Sequence, residues 1–365
     1  MDINKPQKEQ TLPGSKDTLL EGESYIAVRF NGRKKVLSSA PHNGGMRTDL
    51  TAVYNFDGKQ EGNKEISLRG GTYESHMQYV SKEIIGLDPD TSAGIMTAAS
   101  MRNAVFLSES FCSLTVTAIV TGGIEVNGAR AGDPTEWCEE RGYWEKVSSK
   151  TLGTINIMLF IHADLADGAL AKALITCTEA KAAAIQELCI SSRYSWGIAT
   201  GSGTDGVILV SDMDASLHLT ETGSYSKAGE LIGRVVKRAV KEALFRQSGV
   251  GASVQHDALR RLGRFGLTED VLTSRIMRLD DHIQEQEAVE KVHKWKRSSS
   301  GVLWAVLEAC LLEQRHWGLL DWEETERGRK KCLEILQQED EHNYPEIAEA
   351  VRGWQKDMDS VPGKE

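Results

Sequence analysis

Five short segments of this chain carry more Gly, Thr, Asn and Asp than ordinary connections need, and all lie before residue 210. They are Ser38-Ser-Ala-Pro-His-Asn-Gly-Gly45, Thr121-Gly-Gly-Ile-Glu-Val-Asn-Gly-Ala-Arg-Ala-Gly-Asp133, Gly153-Thr-Ile-Asn156, Thr178-Glu-Ala-Lys181 and Thr200-Gly-Ser-Gly-Thr-Asp-Gly206. The last matches Gly-x-Gly-x-x-Gly. A dinucleotide fingerprint of that form should follow a strand and open a helix. Here a helical pattern precedes it and Val207-Ile-Leu-Val210 follows as a strand, so the context is reversed. The physical content remains: consecutive small residues can turn several backbone N–H groups toward one point, an anion-binding nest with Asp205 at its rim. A plain tight turn is the alternative. Asn43-Gly44-Gly45 follows the same logic. Glycines admit a ligand close to the backbone, and the Asn43 amide can donate to a carbonyl or a developing oxyanion. The plain alternative is a hairpin-type turn.

A helix is predicted over 168–188, and its apolar stripe is Leu170, Leu174, Cys177, Ile185 and Leu188. Lys181 falls in the middle of that stripe. A buried ammonium is costly unless paired, so Lys181 either snorkels to an edge or meets a carboxylate or ligand. Glu179 points to the opposite face, where a solvated carboxylate is the plain reading. His42 in a glycine loop and His162 after a strand do not make a metal site, and no His-Glu-x-x-His spacing occurs. A catalytic metal is unsupported by the pattern but not excluded. There is no Gly-x-Ser-x-Gly elbow for a hydrolase serine. Cys112, Cys138, Cys177, Cys189, Cys310 and Cys332 form no Cys-x-x-Cys pair and read as reduced structural thiols.

Positioning these residues needs a layered scaffold. Strands are expected at 24–30 and 35–38 around an Asn31-Gly32 hairpin turn, and at 114–120, 153–161 and 207–211. The near-continuous apolar runs suggest a sheet buried on both faces. Helices are expected at 73–85, 168–188 and 227–247. Composition shifts at Gln247-Ser-Gly-Val-Gly-Ala-Ser253, after which strand signals vanish and segments 268–296, 300–315, 321–340 and 345–358 read as helical. Five of the eight tryptophans (Trp295, Trp304, Trp317, Trp322 and Trp354) lie there, most simply as the core of a helical bundle. The expected fold is α+β or α/β, a layered mixed sheet flanked by helices, plus a C-terminal all-helical extension. The divisions are a flexible N-terminal segment 1–22, a catalytic domain 23–247 and the helical extension 248–365. A net charge of −10 argues against a phosphate-backbone partner, so no nucleic acid is expected. No apolar run approaches a membrane span and no secretory leader is apparent, so no membrane partner and a cytoplasmic address are the expectation. Homo-oligomerisation is left open.

Taken in order, the five segments resemble the adenosylcobinamide amidohydrolase family of corrinoid salvage over roughly residues 23–247. The ordered set carries the likeness, above all Gly153-Thr-Ile-Asn-Ile, Leu165-x-Asp-Gly-Ala-Leu170, Thr178-Glu-Ala-Lys181 and Thr200-Gly-x-Gly-Thr-Asp-Gly206. Gly128 stands where the family more often has alanine, and His42 and His162 stand where it accepts other residues. The resemblance implies hydrolysis of the amide joining the corrin ring's propionyl arm to aminopropanol, giving adenosylcobyric acid for salvage, with remodelling of complete cobamides as an extension. The corrinoid is the substrate, and no cofactor is implied. Asp-x-His-x-x-Gly is absent and Asp281-His282 has the wrong spacing, so histidine ligation of cobalt is not expected.

Amide hydrolysis needs an activated nucleophile, donors for the tetrahedral oxyanion and a proton for the leaving amine. Catalytic candidates are Asn43, Thr154, Asn156, Glu179, Lys181 and Asp205. Backbone N–H groups at 43–45 or 201–204, with Asn43, would form the oxyanion hole. Asp205 or Glu179 would activate water, and Lys181 would support charge or protonate the amine. Thr154, with Asn156 beside it, is the rival as a direct nucleophile. Substrate-binding candidates are Gly44, Gly45, Asn127, Arg130, Asp133, Thr200, Gly201, Gly203 and Thr204. The competing readings are a non-catalytic corrinoid-binding protein, a nucleotide-binding protein using the 200–206 nest, and an amidase for another amide.

Overall fold

The computed structural model describes residues 6–59, 68–134, 137–140, 143–146, 153–340 and 345–360. Its strands, in chain order, are β1 (Lys8–Thr11), β2 (Thr18–Glu21), β3 (Tyr25–Arg29), β4 (Lys34–Ser38), β5 (Gly45–Arg47), β6 (Ala52–Asp57), β7 (Ser92–Thr97), β8 (Val105–Phe111) and β9 (Leu114–Gly122), then β10 (Trp137–Glu140), β11 (Tyr143–Lys146), β12 (Ile155–Ile161), β13 (Asp164–Leu165), β14 (Gly206–Asp212) and β15 (His218–Leu219). The helices that accompany them are α1 (Tyr73–Tyr79), α2 (Asp167–Glu187) and α3 (Lys227–Ser248). Six strands form one sheet in the order β5-β4-β14-β12-β9-β8, and five form another, β1-β2-β3-β6-β7. The pairs β10–β11 and β13–β15 stand apart as two-stranded units.

The apolar runs explain the layering. Side chains alternate across a strand, so the uninterrupted run of β12 presents a hydrophobic face on each side. Ile155, Ile157, Leu159 and Ile161 join a core with α2 and α3. Met158 and Phe160 join a second core with Leu19, Ile26, Val28 and Val53 of the five-stranded sheet. β14 divides likewise, Val207 and Leu209 toward the helices, Ile208 and Val210 toward the other sheet. Burying each such side chain contributes roughly 1.5–3 kcal/mol. The outer face of the five-stranded sheet packs Tyr25, Tyr54 and Phe56 against Met77 of α1 and Val80 and Ile85 of the π-helical turn that follows it. The layers run helix, sheet, sheet, helix. α3 starts at Ser226, whose side chain accepts from the Gly229 N–H, and stops at Gly249 with φ +72.

Two expectations for this domain are corrected. Asn31-Gly32 does not close a hairpin, because β3 pairs with β2 and β6 while β4 pairs with β14 and β5. The chain changes sheets there, held by Asp17, which accepts from the Asn31 N–H at 2.7 Å, and Asp214, which accepts from the Arg33 N–H at 2.7 Å. Nor are residues 6–22 a frayed tail. β1 and β2 extend the five-stranded sheet, and Leu12, Leu19 and Leu20 are buried. The polar residues that suggested fraying include Asp17, which is 1% exposed and paired with Lys34.

The second compact unit comprises residues Ser191–Ile198 and Ala252–Glu365. The division therefore falls after Gly251 rather than 247, and a short excursion from the first domain's sequence groups with the helices. Its helices are α4 (Ala252–Gln255), α5 (Ala258–Leu262), α6 (Glu269–Leu279), α7 (Glu285–Trp295), α8 (Ser299–His316), α9 (Trp322–Asp340) and α10 (Pro345–Ser360). The expected helix over 268–296 is two helices, broken between Asp280 and Gln284. Trp295, Trp304 and Trp354 lie in its core, whereas Trp317 and Trp322 are exposed. Trp196 of the excursion packs against Phe265 and His316 at centroid distances of 5.8 and 5.6 Å. Among the described residues no helix is long and apolar enough to cross a membrane.

Candidate active site

Register places four of the five singled-out loops at one end of the six-stranded sheet. Ile155, the first residue of β12, faces Gly122, the last of β9. Asn156 faces Gly206, the first of β14, and Ile208 faces Ser38, the last of β4. The loops 39–44, 123–133, 153–154 and 200–205 therefore all leave from this end. The fifth segment, 178–181, lies late in α2, and its Lys181 reaches the same place. His162 and Asp164 follow the last residue of β12 and sit at the other end.

Lys181 is 8% exposed and forms an ion pair with Asp205, whose side chain is 9% exposed. The polar residue in an apolar stripe has thus found its carboxylate. Asp205 also accepts from the Ile155 N–H at 3.0 Å, from the Ser202 N–H at 3.2 Å and from the Ser202 hydroxyl. This is where the anion-binding nest goes: it is filled by the protein's own carboxylate. The other N–H groups of the loop are engaged too. Thr200 and Gly201 donate to the Ala129 carbonyl at 2.9 and 3.1 Å, and Thr204 donates to Ser202 Oγ at 3.4 Å. Within 201–204 only the Gly203 N–H has no acceptor among the described residues. The expectation that the 201–204 backbone forms an oxyanion hole is corrected accordingly, and a bound phosphate loses the donors it needs.

Gly201 is required by close approach. A Cβ there would lie 2.3 Å from Asp205 Oδ2 and 2.9 Å from Lys181 Nζ, so only glycine lets the pair nest against the backbone. The Lys181 ammonium has three donors, and Asp205 is its one protein partner among the described residues. Two N–H bonds remain for an incoming group.

Beside the pair lies a hydroxyl cluster. Thr154 Oγ1 is 2.9 Å from Thr204 Oγ1, which donates to the Gly153 carbonyl at 2.8 Å. Ser202 Oγ lies 3.5 Å from Thr204 Oγ1. Thr154 and Ser202 are 6% and 4% exposed. The sequence reading missed Ser202. A signal was there: Ser202-x-x-Asp205 has the spacing of a capping box, and Ser202 donates both its N–H and its hydroxyl to Asp205, although a strand and not a helix follows. Asn127, 4% exposed, clamps the cluster, donating to the carbonyls of Gly153 at 2.7 Å and Ser202 at 3.0 Å.

The remaining candidates are placed differently. Asn156 is 1% exposed, donates to Asn55 Oδ1 at 2.8 Å and the Met96 carbonyl at 3.0 Å, and accepts from the Gly206 N–H at 3.1 Å. It joins the two sheets and has no donor left for substrate. Asn43 sits at φ +54 and donates to the carbonyls of Pro89 at 2.7 Å and Ser92 at 2.8 Å. Its amide N–H groups pin the segment before β7, so the expected oxyanion donor is a turn residue instead. Gly44 serves the same β4–β5 connection, since a Cβ there would meet the Ala40 carbonyl oxygen at 2.1 Å, and Gly45 pairs with Ser38. Thr200 accepts from the Ala131 N–H at 2.9 Å and Asp133 from the Arg130 N–H at 2.7 Å, so both shape the 129–133 loop, together with Arg130. Glu179 is exposed on α2, away from the buried face that carries Lys181, and does not join the cluster.

No group of three or more His, Cys, Asp or Glu is placed to hold a metal ion among the described residues. Below Lys181, one turn earlier in α2, burial pushes the Cys177 thiol up to about 12. Cys112, Cys177, Cys189, Cys310 and Cys332 are free.

Two comparisons with known proteins bear on this chain. A protein of Methanocaldococcus jannaschii, described only as uncharacterized, is 33% identical over 251 residues, covering 64% of this chain and 91% of its own length. The family model described as adenosylcobinamide amidohydrolase matches residues 10–252, which take in the six-stranded sheet, the five-stranded sheet from within β1 onward, α1 to α3 and every member of the polar cluster. With its hydroxyls, ion pair and glycine contact all inside that match, the chain belongs to the adenosylcobinamide amidohydrolase family.

Proposed function

We propose that this protein hydrolyses the amide between the corrin propionyl arm and aminopropanol in adenosylcobinamide, releasing adenosylcobyric acid for salvage or remodelling of cobamides. Family membership supplies the reaction class. The observation that carries the reading is the buried Lys181–Asp205 pair set against the Thr154, Ser202 and Thr204 hydroxyls at one sheet end. A cation with unused donors can bind the oxygen of a polarised carbonyl, and in a site this enclosed its field is strong. The Thr154, Ser202 and Thr204 hydroxyls, linked to its partner Asp205 through Ser202, supply a nucleophile or hold a water. The corrinoid enters as substrate, and no resident cofactor is needed by these residues.

The test is mass spectrometry of adenosylcobinamide after incubation with the purified protein, with and without chelator. Adenosylcobyric acid and free aminopropanol are expected in the absence of chelator. Recovery of intact adenosylcobinamide that has bound stoichiometrically would instead identify a corrinoid-binding protein. Loss of turnover on chelation would add a metal to the reaction.

A further inference from the structure

We infer that hydrolysis proceeds through a covalent ester on Thr154, with Thr204 and Ser202 relaying its proton to Asp205. This rests on the amidase reading above and chooses between a direct nucleophile and an activated water.

The direction of the hydrogen bonds decides the assignment. A hydroxyl has one proton. The Gly153 carbonyl has none, so the 2.8 Å contact makes Thr204 the donor there. Thr204 then accepts from Thr154 across 2.9 Å. Ser202 accepts from the Thr204 N–H at 3.4 Å and gives its proton to Asp205. Of the three hydroxyl oxygens, Thr204 and Ser202 each accept a hydrogen bond, whereas Thr154 accepts none among the described residues. Its lone pairs are the ones left to attack. Asp205 cannot serve a water as directly. Its Oδ1 already takes the Ile155 N–H, the Ser202 N–H and the Ser202 hydroxyl, and its Oδ2 takes Lys181.

In the first half-reaction Thr154 Oγ1 bonds to the amide carbon. The Thr204 O–H turns from the Gly153 carbonyl to Ser202; the Thr154 proton then passes to Thr204, the Thr204 proton to Ser202, and the Ser202 proton to Asp205. The longest link is the 3.5 Å from Thr204 to Ser202, and it must shorten when substrate arrives. The carbonyl oxygen takes the negative charge opposite the two unused N–H bonds of Lys181. Collapse breaks the C–N bond while Lys181 protonates the leaving nitrogen and takes the relayed proton from Asp205, giving Thr154 ester, neutral aminopropanol and the Lys181–Asp205 pair as before. Water then cleaves the ester, restoring the Thr154 hydroxyl and yielding the carboxylic acid. Thr154 is the catalytic residue; Ser202, Thr204 and Asn127 hold and connect it.

The test combines variants with trapping. Hydroxylamine added to the unaltered protein and adenosylcobinamide should divert product to the hydroxamate of the corrin arm without slowing aminopropanol release. Thr154→Ala should lower kcat at least about 10³-fold with KM little changed, and Thr154→Ser should recover much of it. Ser202→Ala should lower kcat about 10- to 100-fold and shift the pH profile, because the relay is cut while the nucleophile stays. Circular dichroism and urea midpoints of each variant establish that it is folded. If Thr154→Ala, folded, still releases aminopropanol at an undiminished rate, or hydroxamate never forms, the covalent route is wrong while the amidase reading stands. If the unaltered protein releases no aminopropanol, the reading fails and takes this inference with it.

Discussion

The six-stranded sheet buries a lysine at each end, and the two are not alike. At the end where β14 finishes, Lys34 is 2% exposed and meets Asp17 at 3.3 Å, Asp212 at 3.0 Å and the Asn31 carbonyl at 3.3 Å. Three acceptors match its three donors. At the end where β14 begins, Lys181 meets Asp205 alone among the described residues. Burial and ion pairing are therefore common to both and cannot by themselves mark chemistry. Saturation separates them: a satisfied ammonium is a staple, and an unsatisfied one is available to a ligand. The aspartates differ in the same way. Asp17 serves the N-terminal strands, whereas Asp205 is a hub of backbone and hydroxyl donors that fixes two loops about one point.

The contrast can be broken by experiment. Lys34→Met should cost about 3–5 kcal/mol of stability, because it leaves a buried carboxylate unpaired, while the folded fraction keeps its amide turnover. Urea unfolding and activity per folded molecule test this together. A stable Lys34→Met protein with lost turnover would reverse the roles assigned to the two ends. Lys181→Met should lower kcat about 10²- to 10³-fold, the usual cost of removing an oxyanion donor. Its stability should change less than that of Lys34→Met, since Asp205 keeps its other donors. Gly201→Ala should push the Lys181–Asp205 pair from its seat and reduce turnover on the order of 10²-fold, as small displacements in active sites do, and a steady-state assay reads it directly.

A smaller effect belongs to the Lys34 end. His162 is buried beside Thr117 and the Asp17–Lys34–Asp212 group, and its burial holds its pKa below the ordinary value. The unfolded chain, with a histidine pKa near ~6.5, then binds a proton that the folded state refuses. The contribution of His162 to stability is whole above about pH 6.5 and is lost as pH falls through the depressed folded pKa. Urea midpoints between about pH 7.5 and 5 should decline, and His162→Gln should flatten that slope without altering turnover at neutral pH. The smallest effect should be that of Glu179→Gln. An exposed carboxylate far from the cluster should leave kcat and KM unchanged, and any large loss would return Glu179 to the site.

The strands, α2 and α3 were legible because their signals are local. The near-continuous apolar runs of β12 and β14 called for a sheet buried on both faces, and both faces are buried. Lys181 was legible because one charge in an apolar stripe demands a partner. Asn31-Gly32 was misread because a turn fixes only the local backbone direction, and whether the next strand returns to the same sheet depends on distant residues such as Asp212 and Asp214. Asn43 and Asn156 looked like catalytic amides because type and neighbourhood are all that a sequence offers. Which hydrogen bonds an amide makes is settled by what faces it, here Pro89, Ser92, Asn55 and Met96.

By itself, the sequence determined the layered class, the helical extension, the family likeness and the short list of segments from which the site is drawn. Periodicity and glycine content act within a few residues and survive without any partner. Tertiary structure alone decided that the 200–206 nest is filled by Asp205, that Thr154 leans on Thr204, and that one buried lysine is saturated and the other is not. Hydrogen-bond saturation is a property of groups brought together from far along the chain, so it exists only once the chain has folded.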